Sequence, residues 1–244
     1  MLRLFLALRP PLPIREMLFD LMDGIGGARW QDDEQLHVTT RFLGEVDPRL
    51  ADDIVTEIDR LRLSLTPAAP TVALHAVGQF ASRGRTDTLW AGVTPHAALT
   101  ALHRKVDQAV VRAGLPPDRR AYLPHVTLAR LPRSLGTSPE IDGWIARHAG
   151  LASAPFAMTH LTLYQSHLGR DGAWYQPLLR WPLEPDAGTP ATLAGLRRIN
   201  RERRTCGLQH LRWSVQRRSD WRPAIRRGSR RARRLQAGRA HARC

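Results

Sequence analysis

The sequence predicts an α+β fold made of two related lobes that face one another. From Met1 to about Leu183, short apolar or alternating runs typical of strands take turns with segments of helical periodicity. Within this body the motif His-Val-Thr occurs twice, at His37 and at His125, each time in a predicted strand that follows a helix. The two copies lie 88 residues apart, about half the length of the body, which indicates an internal repeat.

The first half of the body begins with an apolar strand, LRLFLAL, and a proline cluster then turns the chain into a helix at about 14–23. The segment GIGGARW is a predicted loop, and QLHVTTRFLG alternates as a strand does. Asp47-Pro48 opens a second helix, which TPAAP ends. Its apolar positions follow helical spacing: Leu50, Ile54, Ile58 and Leu61.

The second half repeats this alternation. TVALHAVGQF and TDTLWAGVT are predicted strands, and an amphipathic helix follows at about 96–113. The strand AYLPHVTLARL carries the second motif. The short helical segment IDGWIARHA then precedes two closing strands, FAMTHLTLYQSHL and AWYQPLLRWPL.

The net charge of +15 belongs entirely to the C-terminal tail. Residues 187–244 hold 17 Arg against Glu202 and Asp220, whereas residues 1–186 hold 20 basic and 20 acidic groups. We therefore predict a folded domain at 1–185 and a disordered Arg-rich tail at 186–244. Such a tail either attracts RNA phosphates or has no function. Both cysteines, Cys206 and Cys244, lie in the tail, so the body does not depend on disulfides.

The sequence lacks the signals of export and of metal binding. The short apolar start is broken by Arg3 and Arg9, no stretch approaches the length of a membrane span, and a cytoplasmic monomer is expected. The remaining histidines show no metal-ligand spacing, and we expect neither metal nor cofactor. His160 and His167, near the second motif in sequence, are expected in surface or loop positions.

The two motifs suit acid–base chemistry on a phosphodiester. Because side chains alternate along a strand, His37 and Thr39 share one face, and so do His125 and Thr127. Two such strands bring together two imidazoles, one to accept a proton from water and one to protonate the leaving oxygen, and two hydroxyls that can donate to phosphate oxygens. The competing interpretation is structural: each His ends a strand, and each Thr favours β structure.

The surrounding residues decide in favour of chemistry, because the body resembles the RNA 2′,3′-cyclic phosphodiesterases, also called 2′-5′ RNA ligases, of the two-histidine phosphoesterases. This resemblance implies a bilobal fold with two pseudo-symmetric lobes of antiparallel strands, outer helices and a cleft between them. It implies hydrolysis of RNA 2′,3′-cyclic phosphate ends to 2′-phosphomonoesters, with 2′-5′ ligation as a reverse reaction. The segments that carry it are RLFLAL, ARWQDDEQLHVTTRFLGEV, LWAGV, ALHRKVDQAV, LPHVTLARL and LYQSHLGRDGAWYQPL.

Carried over by position, the resemblance makes His37 the proton donor and His125 the proton acceptor. Thr39, Thr127 and Arg130 would then hold the phosphate. Thr40 departs mildly from the family, which more often has an apolar residue there, but alternation puts it on the back face.

Two arginines near the motifs need separate arguments. Strict alternation points Arg41 into the cleft, as a further phosphate ligand, whereas Arg130 has the opposite parity to His125 and reaches phosphate only if its strand ends or bulges near Ala129. For either, the alternative is a solvated charge at a strand edge. Trp30 and Phe42 are candidates for stacking on a base, although aromatic residues beside strands more often belong to the core.

Two other functions stay open at this point. The first is a phosphodiesterase acting on a small cyclic nucleotide instead of an RNA end, which the neutral body favours. The second is a non-catalytic RNA-binding protein of the same fold, which the two intact motifs disfavour.

Overall fold

The computed structural model describes residues 1–64, 68–169 and 172–184. In this part of the chain all strands join one antiparallel sheet, and four helices lie in the order that the sequence predicts. The strands are β1 (Leu2–Leu8), β2 (Arg29–Trp30), β3 (Val38–Val46), β4 (Thr71–Ser82), β5 (Arg85–Thr94), β6 (His125–Arg130), β7 (Phe156–Ala157), β8 (His160–Gly169) and β9 (Gly172–Pro182). The helices are α1 (Leu12–Phe19), α2 (Pro48–Ser64), α3 (His96–Arg112) and α4 (Pro139–His148).

The helix boundaries follow local capping chemistry. The Asp47 carboxylate accepts the backbone N–H groups of Arg49 and Leu50 and so starts α2. At α4, the Ser138 hydroxyl accepts from the N–H of Glu140, and Pro139 occupies the first turn. The first helix is shorter than predicted, because it ends at Phe19 instead of continuing to residue 23.

The order of strands across the sheet is β7-β4-β5-β6-β3-β1-β8-β9, and β2 pairs in addition with the end of β6, at Ala129 and Arg130. One lobe consists of β4, β5, β6 and β7, and the other consists of β3, β1, β8 and β9. The two motif strands, β3 and β6, are neighbours where the lobes meet. The predicted bilobal α+β fold is thus confirmed, and its lobes share one sheet.

The two faces of the sheet have different roles. The large hydrophobic core contains residues of all four helices and one face of the strands, including Leu4, Leu6 and Leu8 of β1. The intervening β1 residues, Phe5 and Ala7, form a small separate cluster with Tyr164 on the opposite face. This second face carries the motif side chains described below, and we call it the site face.

The sequence missed β2 and β7, because a strand of two residues is too short to show alternation. The Arg-rich tail at 186–244, with both cysteines, lies outside the described residues, as does the end of the predicted domain at 185. Within the described ranges no helix combines the length and the apolar character needed to cross a membrane.

Candidate active site

A single register pair joins the two motif strands. Val38 lies opposite Val126 in the antiparallel β3–β6 pair, and both valines are fully buried in the core. Continued by one residue each way, this register brings the first histidine to the second threonine and the second histidine to the first threonine. All four side chains point to the site face, because they flank the two buried valines. His37, Thr39, His125 and Thr127 are therefore related by an approximate local two-fold axis.

Each motif histidine is fixed by a backbone carbonyl two residues before it. The Nδ1 atom of His125 lies 2.7 Å from the carbonyl oxygen of Leu123. Because a carbonyl only accepts, Nδ1 carries the proton, and Nε2 of the neutral ring is left with its lone pair. For His37 the corresponding backbone group is that of Gln35, which acts to raise the pKa of the ring.

The carbonyl of Gln35 is itself held by a rigid turn. Asp32 and Gln35 form a reciprocal capping box, and the Gln35 amide donates to the carbonyl of Ala173 at 2.6 Å. Within the same turn, the Asp33 carboxylate accepts from Arg9 and Arg15. The turn before His37 is thus tied to Arg9, directly after β1, to Arg15 of α1 and to Ala173 of β9.

Aromatic rings surround both histidines. The His37 ring lies 5.0 Å from Phe5 and 5.3 Å from Tyr175, measured between centroids, and Tyr164 lies slightly farther away at 6.1 Å. On the other lobe, the His125 ring lies 4.8 Å from Phe80 in an edge-on contact.

Trp90 completes the surroundings of His125 at 6.2 Å and lies over Gly78. A Cβ atom at residue 78 would come within 2.3 Å of the indole, so only glycine leaves room for it.

These surroundings favour neutral imidazoles. Removal from water lowers the pKa of His37 to about 4, helped by the positive charges of His125 and Arg130. The same loss of water, together with Arg130, lowers the pKa of His125. A bound phosphate anion would act in the opposite direction on both groups, because it stabilises the imidazolium form.

Arg130 reaches the site face through a β-bulge. In the β5–β6 register, Trp90 lies opposite Thr127 but Leu89 lies opposite Ala129, so that Leu128 is an extra residue. The extra residue reverses the alternation, and Arg130 lies on the same face as the motif side chains. Its Nη1 donates to the Thr88 hydroxyl at 2.6 Å, and its charge acts on both histidines. The bulge that the sequence argument required is present.

A bulge in β3 has the opposite effect on Arg41. Along β1, Ala7 lies opposite Thr39 and Leu6 lies opposite Arg41, which makes Thr40 the extra residue. Arg41 therefore points to the core face, with only 8% of its side chain exposed, and not into the cleft as strict alternation suggested.

On the core face, Arg41 is fully partnered. Its Nε donates to Asp107 at 2.7 Å, Nη1 lies 3.5 Å from Asp118 Oδ2, and its other donors reach the carbonyls of Phe42 and Pro116. The side chain links β3 to α3 and to the segment that leads into the second motif. It has no part in the candidate site.

The remaining aromatic and histidine candidates also differ in whether they lie near the motif side chains. Trp30 packs against Trp144 of α4, whereas Phe42 is half-exposed on the site face beside Phe5. His160 contacts the Thr159 hydroxyl, and His167 stacks on Trp174 near the tip of the β8–β9 hairpin; both lie in strand β8 and not in a loop. Neither histidine joins the motif pair.

An open cavity of about 900 Å³ lies beside the histidines. Its lining includes Phe5 and Tyr175, which contact the His37 ring, and also Phe42 and Arg130. None of the four motif side chains lines this cavity, which adjoins them through Phe5, Tyr175 and Arg130. Among the described residues, no group of three or more His, Cys, Asp or Glu side chains is arranged to hold a metal ion.

A family model described as the 2′-5′ RNA ligase superfamily matches residues 24–170, a segment that contains both motifs. The chain belongs to the 2′-5′ RNA ligase superfamily. This confirms the family predicted from the sequence.

Three similar proteins align with most of residues 1–184. An RNA 2′,3′-cyclic phosphodiesterase of Methanocaldococcus jannaschii is 28% identical over 182 residues, which are 74% of this chain and all of the relative. One from Geobacillus stearothermophilus is 30% identical over 162 residues, 66% of this chain and half of that protein. The crystal structure of E. coli LigT complexed with 3′-AMP has a TM-score of 0.58, with 28% identity, 75% coverage of this chain and 98% of its own.

Sequence reasoning found the motif residues of this superfamily member but missed the aromatic surroundings. Phe5 lies in a run of seven residues in which apolar side chains occupy both faces, so alternation gave no sign of its direction. Tyr164, Tyr175, Phe80 and Trp90 come from four further strands whose order the sequence did not reveal. The two carbonyls that hold the imidazoles are backbone groups and leave no mark in a sequence.

Proposed function

We propose that this protein hydrolyses RNA 2′,3′-cyclic phosphate ends to 2′-phosphomonoesters, with His37 and His125 as the acid–base pair. The main support is the pairing of Val38 with Val126. From this pairing it follows that two imidazoles and two hydroxyls lie about one local two-fold axis on the site face. A phosphorus atom on that axis has an imidazole on either side. Attack on one side and departure on the other are what opening of a cyclic diester requires.

In the proposed reaction, His125 Nε2 removes a proton from water as its oxygen attacks phosphorus. The bond between phosphorus and the ribose 3′-oxygen breaks, and protonated His37 gives its proton to that oxygen. The products are a 2′-phosphomonoester and a free 3′-hydroxyl. A 5′-hydroxyl in place of water would give a 2′-5′ linkage by the same proton transfers.

Three further side chains support this reaction by binding the phosphate. The hydroxyls of Thr39 and Thr127 face it from the two motif strands, and the exposed Arg130 adds a positive charge from beyond the bulge. Donors of this kind act most strongly where negative charge develops on the non-bridging oxygens.

Without bound substrate, His37 does not carry the proton that the leaving oxygen requires. Because the pKa of His37 is about 4, this ring is neutral at pH 7 when the site is empty. The anionic cyclic phosphate raises the pKa of the adjacent imidazole, so substrate binding and protonation of His37 favour each other.

The test is hydrolysis of an oligoribonucleotide with a 2′,3′-cyclic phosphate end, in EDTA, by wild type, His37→Ala and His125→Ala. We expect each substitution to lower kcat by about 10²- to 10⁴-fold. We also expect the wild-type product to carry its phosphate on the 2′-oxygen. His96→Ala, at an exposed histidine that begins α3, is the matched control and should keep full activity.

Wild type without turnover, variants that keep it, or a 3′-phosphate product would each contradict the proposal. Thermal unfolding of the inactive variants separates lost chemistry from lost folding.

One observation favours a smaller substrate. E. coli LigT, which shares the fold, has been crystallised with the mononucleotide 3′-AMP. A 2′,3′-cyclic mononucleotide therefore belongs in the same assay, and a kcat/KM equal to that of the oligomer would favour the small-molecule substrate.

A further inference from the structure

Two arginines lie directly opposite each other at the edge of the site. In the β2–β6 pair, Arg29 is the register partner of Arg130. Directly opposed residues of an antiparallel pair point to the same face, so both guanidinium groups lie on the site face. Like charges in this relation are destabilising unless something of opposite charge lies between them.

No carboxylate of the described residues neutralises this pair. Every ion pair within 4 Å in that part of the chain involves other basic groups, such as Arg9 and Arg15 on Asp33. Arg130 donates only to the neutral Thr88 hydroxyl. Asp87 lines the same cavity, but its carboxylate accepts from that hydroxyl and from neither arginine.

The two arginines differ in their distance from the chemistry. Arg130 is the arginine whose charge lowers the pKa of both His37 and His125. Arg29 is carried by β2, on the other side of Arg130, and lines the cavity with it. A phosphate bound at the histidines would interact with the charge of Arg130. Arg29 would instead face the part of a longer substrate that extends from this phosphate along the cavity.

We propose that Arg29 binds the phosphodiester immediately upstream of the cyclic phosphate, beside the contact of Arg130 with the scissile group. This inference rests on the proposed function and specifies its substrate as an RNA end with at least one internal phosphodiester. A cyclic mononucleotide lacks that phosphate and makes no contact with Arg29.

The experiment compares two substrates with the same terminal base: a dinucleotide ending in a 2′,3′-cyclic phosphate, and the 2′,3′-cyclic mononucleotide. Arg29→Gln should lower kcat/KM for the dinucleotide about five- to tenfold, the loss of one partly exposed charge-assisted contact, and leave the mononucleotide unchanged. Arg29→Lys should restore part of the loss. Arg133→Gln, at an exposed arginine outside the cavity lining, should change neither substrate.

Salt dependence provides a second readout. Loss of one phosphate contact should reduce the slope of log kcat/KM against log salt by about 0.7 for the dinucleotide only. Equal losses on both substrates would assign Arg29 to the scissile phosphate and overturn the inference, and so would no loss on either. Failure of the proposed function itself would appear separately, as the absence of wild-type turnover of both substrates.

Discussion

The two motif strands each contain a β-bulge after the threonine, but the arginines that follow the two bulges point to opposite faces of the sheet. His-Val-Thr lies at the start of both β3 and β6, with His37 directly before β3, and in each strand an extra residue immediately follows the threonine, Thr40 in β3 and Leu128 in β6. In β3, the arginine four positions after the histidine turns into the core. In β6, the arginine five positions after the histidine turns into the site. A difference of one residue thus separates a buried arginine on the core face from an exposed arginine on the site face.

The neighbours of each bulge differ accordingly. The carbonyl of Thr40 lies 2.7 Å from Nδ1 of His103, and Asp107, one turn later on α3, takes the guanidinium of Arg41. The carbonyl of Leu128 instead accepts the backbone N–H of Gln31, next to the short strand β2. A helix thus covers the first bulge, whereas the short strand β2 lies beside the second, where Arg130 is exposed.

The strongest test of this contrast is Arg41→Met. It removes the buried partner of Asp107 and leaves Asp118 paired with the exposed Arg120, and loss of one partner of a buried ion pair costs about 3–5 kcal/mol. We expect the free energy of unfolding in urea to fall by that order. Arg60→Met, at an exposed arginine paired with Glu57, should cost less than about 1 kcal/mol. Equal effects of the two variants would contradict the structural role of Arg41.

The complementary change is Arg130→Met, which should leave stability nearly unchanged, because this side chain is exposed and makes one hydrogen bond. Activity on the cyclic phosphate should fall about 100-fold, because a charged donor to the phosphate is lost. Urea unfolding and steady-state kinetics on the same preparation test both halves of the expectation. A large loss of stability with unchanged kcat would reverse the assignment of the two arginines.

The pH dependence of kcat/KM depends on the pKa values of both histidines, one acting as the acid and the other as the base. Because the folded pKa of His37 is about 4 and that of His125 is also lowered, kcat/KM should be highest between the two values, below pH 6.5, and should fall as pH rises past the higher one. Bound substrate raises both values, so the optimum of kcat should lie at higher pH.

NMR titration of the imidazole carbons can assign each value to its residue. Tyr175→Ala should raise the pKa of His37, because water enters beside it, and Phe80→Ala should do the same for His125. Inorganic phosphate should raise both. A His37 that titrates near 6.5 in the unliganded wild type would contradict the desolvated site.

The smallest expected effect is that of Thr40→Val at the first bulge. The Thr40 hydroxyl is buried and has no hydrogen-bond partner among the described residues. A methyl group of the same shape removes this unpaired group and should stabilise the fold by about 1 kcal/mol. Thermal unfolding measures the change, with Thr56→Val at an exposed position of α2 as the control. A destabilised Thr40→Val would show that the hydroxyl has a partner after all.

The sequence was sufficient for most of the fold, because long elements carry strong periodicity. The helix at 96–113 was placed within one residue of α3, and the four motif side chains were assigned to one face by alternation alone. Family, fold and motif positions all followed from patterns that repeat over several residues. The Val38–Val126 register did not, because a pairing between strands far apart in the chain leaves no local signal.

Arg41 and Arg130 show that alternation along a strand does not predict the direction of a side chain that follows a β-bulge. Alternation counts residues and assumes that each one takes a place in the ladder, and a bulge breaks that assumption without any sequence mark as strong as a glycine or proline. For Arg130, the family resemblance demanded a bulge and so anticipated it. For Arg41, nothing opposed strict alternation, and the direction was wrong.

The bulges also bear on how sites of this kind diverge. Deleting Thr40 would remove the bulge in β3 and leave Arg41 directly after Thr39, still on the core face. Deleting Leu128 would in the same way leave Arg130 on the site face. Neither change replaces an arginine or a histidine. At a regularly paired position the same loss of one residue would turn every later side chain of the strand to the opposite face. A one-residue gap in an alignment therefore has a different structural meaning at Thr40 or Leu128 than elsewhere in these strands.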